Sequence, residues 1–112
     1  MPVSRGDVVL TYVANVGSPG GKVRPALVIQ SDLFSEHPSL TVLPVTSELR
    51  RTPIFRIGLQ PTADNGLEKP SQIMIDKIHT LPREKIEKVF GRVGDEILLK
   101  VNRALAVFFG FA

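Results

Sequence analysis

Glycine and proline interrupt this chain along its whole length, with nine of each among 112 residues. The apolar runs between them are short, which favours small strands and tight loops over long helices. Only the last run, with Ile97, Val101, Leu105 and Phe108, recurs at helical spacing. The pattern predicts an α+β fold, mainly β, in which short antiparallel strands form a half-open barrel with a C-terminal helix. The length predicts one domain over residues 1–112.

Six segments have the composition of strands. They are Asp7–Ala14, Pro25–Gln30, Ser39–Thr46, Thr52–Leu59, Ser71–Thr80 and the run "VFGRV". We expect Pro25 to begin its strand and Pro44 to mark an edge or a bulge, because proline lacks the N–H of a ladder bond. In the fifth strand, alternation predicts that Gln72, Met74, Asp76 and Ile78 share one face. A turn or two of helix is predicted in "LPREKIEK".

Several classes of function are excluded by what the sequence lacks. It has no cysteine, so it can form neither a disulfide nor a thiolate metal site. Two histidines, His37 and His79, cannot build a histidine-rich metal centre, and we expect neither metal nor cofactor. The start does not resemble a signal peptide, and the apolar tail Ala104–Ala112 is shorter than the about 20 residues that cross a bilayer. We expect a soluble, cytoplasmic protein that does not bind membranes.

Polar residues stand unusually among apolar neighbours at three places: Arg24, Thr46–Ser47, and Asp76 with Lys77 and His79. Each has an ordinary structural explanation. Arg24 could form an ion pair at the surface, Thr46 and Ser47 could cap a turn, and Asp76 and His79 could lie on the outer face of an edge strand. Because all three lie at ends or edges of predicted strands, they also suggest one shared groove. A formal net charge of +3 permits a polyanionic partner without requiring one.

Four segments carry a resemblance to a known family. They are "SRGDVVLTYV", "VGSPGGKVRPALVIQSD", "LTVLPVTSELRR" and "GLEKPSQIMIDKIHT", which run in order from Ser4 to about Thr80. Together they resemble the MazF/PemK/Kid toxins of toxin–antitoxin systems. The resemblance implies an SH3-like barrel, a homodimer, and an endoribonuclease that cleaves single-stranded RNA at short sequence motifs. It also implies a cognate antitoxin with a disordered acidic tail.

The resemblance assigns roles to single residues. It places Arg24 of the "RP" motif and Thr46 of the "TS" motif at the scissile phosphate, and it gives a catalytic role to Asp76 as in the Kid type. The chain departs from its relatives at three places. Met74 stands where the Kid type has an arginine, His79 stands where relatives often have arginine, and the loop "GSPGGKVRP" lacks their acidic residue.

These residue types suit RNA cleavage, because RNA supplies its own nucleophile, the 2′-OH. The protein then has to orient the strand and stabilise the charge that grows on the phosphate. Arg24 offers a charged fork for phosphate oxygens, and Thr46 offers a hydroxyl. Either Asp76 or His79 could remove the 2′-OH proton. The candidate RNA-binding residues are Ser18, Lys22, Ser47, Arg50, Arg51 and Lys77.

Two other functions fit a small barrel of this kind. The CcdB toxins look similar in fold and trap DNA gyrase through their C-terminal helix, and this chain ends in the apolar "AVFFGFA". A peptide-binding module is the second alternative, since SH3-like grooves host many functions. The joint presence of Arg24 and Thr46 favours the nuclease.

Overall fold

The computed structural model describes residues 2–13, 22–51 and 54–112. Its strands are β1 Asp7–Val13, β2 Lys22–Val28, β3 Ser39–Thr46, β4 Arg56–Leu59, β5 Ser71–Met74, β6 His79–Pro82 and β7 Lys88–Arg92. Single 3₁₀ turns lie at Asp32–Phe34 and Arg83–Lys85, and the helix α1 spans Asp95–Phe108. The second 3₁₀ turn and α1 confirm the helical predictions.

The strands form one curled, antiparallel sheet in the order β4-β5-β3-β2-β1-β7, and β6 also pairs with β3. Its two faces carry separate clusters of buried apolar side chains. One includes Leu27, Leu43 and Ile73, with Val101 of α1 packed against them. The other is built from Val9, Ala26, Val28, Leu40, Val42, Leu81 and Ile86. The predicted half-open barrel with a C-terminal helix is therefore confirmed.

Pro44 does not mark an edge strand, because β3 lies inside the sheet. One side of β3 pairs with β2, and the other pairs first with β6, from Ser39 to Val42, and then with β5, at Val45 and Thr46. Pro44 lies where the second side changes partner. Proline, which has no N–H, is tolerated at this position because neither the β3–β6 ladder nor the β3–β5 ladder includes it.

The predicted strand over Ser71–Thr80 is wrong, because the chain turns in its middle. β5 ends at Met74, the N–H of Lys77 bonds to the Met74 carbonyl at 3.3 Å, and β6 begins at His79. The sequence keeps alternating between apolar and polar residues through this turn, because Ile75 is fully buried there just as a strand residue would be. The expected common face of Gln72, Met74, Asp76 and Ile78 therefore does not form.

The helix α1 has Asp95 and Glu96 in its first turn, where the helix dipole favours negative charge. Val101 is its one buried residue. After the end of the helix, Gly110 has a φ of +80°, a left-handed conformation suited to glycine. Within the described ranges, no helix is both long and apolar enough to cross a membrane.

Candidate active site

The candidate site lies where β2 and β3 separate. Their ladder pairs Ala26–Val28 with Val42–Pro44 and ends there, although both strands continue. The Ile29 N–H bonds to β3 at Thr41, so by alternation the nitrogen of Pro25 also faces β3. Because that nitrogen carries no hydrogen, it cannot extend the ladder. Pro25 thus lies inside β2 rather than at its start, and a cavity of about 220 Å³ occupies the gap.

Arg24 and Thr46 both line this cavity. If the β2–β3 register continued for two more residues, Arg24 and Thr46 would lie opposite each other. By alternation, both side chains lie on the face of the sheet that carries the cluster with Ala26 and Val42. On its other side, Arg24 pairs in register with the buried Thr11 of β1. Arg24 is only 6% exposed and Thr46 only 8% exposed. The paired halves of the strands therefore hold both side chains in place at one open end.

The guanidinium of Arg24 is partly desolvated. Burial lowers the pKa of Arg24 from its ordinary value, and the carboxylate of Glu48 offsets part of that effect. Arginine nevertheless stays protonated throughout the pH range in which proteins work. The cavity is therefore lined by a partly desolvated positive charge, which attracts an anion more strongly than a fully hydrated charge would.

The Thr46 hydroxyl also caps the turn that follows β3. Its Oγ1 accepts the Glu48 N–H at 3.0 Å, so the ordinary structural role considered for Thr46 is real. A hydroxyl that accepts one hydrogen bond still has its own hydrogen to donate. The cap fixes the Thr46 side chain and leaves it able to donate to an anion in the cavity.

A pair of polar residues that the sequence did not single out supports this turn. Gln72, opposite Thr46 in the β3–β5 ladder, accepts the Arg50 N–H and donates to the Arg50 carbonyl, both at 2.9 Å. Arg56 donates at 2.9 Å to both the Gln72 side chain and the Glu48 carbonyl. Its other terminal nitrogen lies 3.7 Å from the sulfur of Met74. The Arg56–Gln72 pair holds the Glu48–Arg50 turn against β4 and β5. The alternation of apolar and polar residues in the sequence does not predict this contact.

The proposed RNA-binding residues are distributed unevenly. Ser47 is exposed and lines the cavity, and Arg50 and Arg51 are exposed beyond the turn. The Arg50–Glu48 ion pair, at 3.5 Å, is solvated and weak. Ser18 lies outside the described residues. Lys22 begins β2.

Asp76, Lys77 and His79 form a separate group. The Asp76 carboxylate lies 2.8 Å from the Lys77 ammonium, and His79 Nδ1 lies 2.8 Å from the Lys77 carbonyl oxygen. His79 is opposite Val42 in the β3–β6 ladder, four residues or about 13 Å along β3 from Thr46. It lines a different cavity, of about 520 Å³, with Tyr12 and Leu81 among its neighbours. Among the described residues, neither Asp76 nor His79 lines the Arg24–Thr46 cavity.

Exposed apolar side chains bear on the expected homodimer. Ile73 and Ile75 are fully buried and offer no apolar surface to a second subunit. Large apolar side chains are nevertheless exposed at Ile54 and along the C-terminal tail at Phe108, Phe109 and Phe111. Within the described ranges, no three histidine or carboxylate side chains cluster as metal ligands would.

Comparison with known proteins supplies a family. The family model of PemK-like, MazF-like toxins of type II toxin–antitoxin systems matches residues 4–109. A probable endoribonuclease MazF from Mycolicibacterium smegmatis is 40% identical over 96% of this chain and 97% of its own length. Endoribonuclease EndoA from Bacillus subtilis is 30% identical over 96% of this chain and 94% of its own. A solved mycobacterial endoribonuclease, in complex with its cognate antitoxin, superimposes with a TM-score of 0.80 at 22% identity, over 98% of this chain and 97% of its own.

Proposed function

Because the chain belongs to the PemK-like, MazF-like toxins of type II toxin–antitoxin systems, we propose that it is an endoribonuclease toxin that cleaves single-stranded RNA at short sequence motifs. Its named relatives act on RNA, and they give no support to the gyrase-binding alternative. The observation that carries the proposal is that the buried residues Arg24 and Thr46 line one open cavity together. We further propose that residues 1–112 work as one such domain.

The reaction we propose needs no nucleophile from the protein. The 2′-OH of the substrate attacks the adjacent phosphorus and loses its proton, while the bond from phosphorus to the 5′-oxygen breaks and that oxygen gains a proton. The products are a 2′,3′-cyclic phosphate and a 5′-OH. Arg24 donates N–H bonds to the phosphate oxygens, where negative charge grows, and Thr46 donates its hydroxyl. Either Asp76 or His79 stays the predicted acceptor of the 2′-OH proton, although neither is among the described residues that line the Arg24–Thr46 cavity.

Three further parts of the proposal concern partners and place. The solved structural neighbour is bound to an antitoxin, and we infer that an antitoxin with an acidic tail covers the Arg24–Thr46 cavity and the rim arginines Arg50 and Arg51. The exposed aromatic side chains of the C-terminal tail favour a homodimer. We place the toxin in the cytoplasm, where its mRNA substrates are.

The proposed function is tested by incubating the protein with a mixed-sequence RNA and analysing the ends of the fragments. We expect cleavage in the presence of a chelator, with 2′,3′-cyclic phosphate and 5′-OH ends. An oligonucleotide with one 2′-deoxy nucleotide at the cleaved position should remain intact, because the nucleophile is missing. Cleavage of that oligonucleotide, or activity that a chelator removes and magnesium restores, would contradict the proposed chemistry.

A further inference from the structure

A second cleft opens directly beside the Arg24–Thr46 cavity. It has a volume of about 300 Å³ and shares Pro25, Val45 and Ser47 with that cavity. The two cavities therefore adjoin at the ends of β2 and β3. The rest of the second cleft is lined by Gly66, Leu67, Glu68, Lys69, Ser71 and Phe90. We call it the Phe90 cleft.

The loop that forms the far wall of the Phe90 cleft is fixed by a buried asparagine. Asn65 is 2% exposed, and its side-chain oxygen accepts the N–H groups of Thr62 and Leu67, both at 3.0 Å. Its side-chain nitrogen donates to the Gln60 carbonyl at 2.9 Å. Because the buried amide has partners for both its oxygen and its nitrogen, the loop is held in one conformation.

Two glycines set how closely this loop approaches β7. A Cβ on Gly91 would lie 2.0 Å from the Asp64 carbonyl oxygen, and one on Gly66 would lie 2.6 Å from that of Phe90. Gly66 also has a φ of +71°. Only residues without a side chain permit such contact. The cleft is thus bounded by backbone packed against backbone, which gives it a shape before any ligand arrives.

The lining of the Phe90 cleft matches the chemistry of a nucleobase. Pro25, Val45, Leu67 and Phe90 give it an apolar interior, and the polar groups of Ser47, Glu68, Lys69 and Ser71 lie among them. The Lys88 ammonium lies 5.1 Å from the centre of the Phe90 ring and adds a second positive charge nearby. A base has two apolar faces and a hydrogen-bonding edge, and proteins bind unpaired bases in such surroundings.

We propose that the Phe90 cleft binds the base of a nucleotide directly flanking the phosphate held by Arg24, and thereby sets the sequence preference at that position. This inference rests on the proposed function, since it needs an RNA phosphate in the adjoining cavity. The carboxylate of Glu68 and the apolar interior make the cleft a poorer site for an acidic peptide tail than the rim arginines are.

The test couples removal of a base to removal of a cleft side chain. The preferred cleavage sequence is first found with a random RNA pool. Oligonucleotides of that sequence are then made with an abasic ribonucleotide, which keeps its 2′-OH, at each position in turn. kcat/KM is measured for the wild type, for Lys69→Ala and Leu67→Ala, and for the control Lys100→Ala, which removes the same charge from an exposed position on α1.

For the wild type, we expect base removal at one flanking position to lower kcat/KM by about tenfold, the usual contribution of one bound base. In Lys69→Ala and Leu67→Ala this loss should shrink at that position alone, and in Lys100→Ala it should stay as in the wild type. Equal losses at every position in all four proteins would overturn the inference and leave the proposed function standing. A wild type that cleaves no RNA would overturn both.

Discussion

The β2–β3 pair has one end that is paired and apolar and one end that is open and polar. At the paired end, Ala26–Val28 lies against Val42–Pro44, and the apolar side chains there are buried on both faces of the sheet. At the open end, the buried residues include Arg24 and Thr46, and a cavity replaces the ladder. The two ends are only a few residues apart. The paired apolar end therefore holds the polar side chains of the open end in place.

Proline separates the two ends. The nitrogen of Pro25 faces β3 without a hydrogen to donate, and the ladder ends at the next residue, Ala26. Thr46 then pairs with Gln72 of β5 instead of with β2. The sequence "RP" therefore has a direct structural meaning here, because the proline opens the sheet beside the arginine that we propose contacts the RNA phosphate.

The largest expected effect comes from breaking the paired end. Leu43→Ala should lower the free energy of unfolding by about 2–5 kcal/mol, because Leu43 is fully buried at the centre of the β2–β3 ladder. Urea unfolding measures this loss. The rate of RNA cleavage per folded molecule should stay near that of the wild type. A stable Leu43→Ala protein with a strongly reduced rate would show that the two ends are not separable.

A smaller effect is expected within the open end. Thr46→Ala should slow cleavage by about 10- to 100-fold, less than the about 100- to 1,000-fold typical of one lost preorganised donor, because Ser47 stands next to it. It also removes the cap on the Glu48 N–H, which should cost about 1 kcal/mol of stability. Ser47→Ala, one residue further along, is the matched control and should slow cleavage less. If Ser47→Ala were the slower enzyme, the hydroxyl that acts on the phosphate would be misassigned.

The smallest effect concerns the rim. The double change Arg50→Glu and Arg51→Glu should slow association with an acidic antitoxin, most clearly at low salt, because steering by exposed charges is screened as ionic strength rises. Stopped-flow association rates at several salt concentrations measure this, and urea unfolding should show an intact fold. Association that is equally fast at low and high salt would contradict a charge-steered antitoxin.

Much of this fold could be predicted from local sequence signals. β1, β3, β7 and α1 follow from short apolar runs, glycine and proline breaks, and helical spacing. The turn after β5 could not be predicted, because the buried Ile75 continues the alternation through it. The interior position of β3 was also missed, because Pro44 marks a change of partner rather than an edge.

The candidate site likewise has residues that the sequence could predict and residues that it could not. Arg24 and Thr46 stood out because each interrupts or ends an apolar run. The Arg56–Gln72 pair did not, because its significance depends on hydrogen bonds between strands that are distant in sequence. The Phe90 cleft depends on two glycines that let a loop approach β7, which no local pattern reveals.

The most direct test of the account is to measure cleavage rate and stability together for Arg24→Ala, with Arg103→Ala as a control that removes the same charge from an exposed helix position. We expect Arg24→Ala to cleave RNA about 100- to 1,000-fold more slowly. Its free energy of unfolding should be no lower than that of the wild type, because the cost of burying the charge is removed with the side chain. Arg103→Ala should match the wild type in both measurements. A folded Arg24→Ala protein that cleaves as fast as the wild type would contradict the central claim.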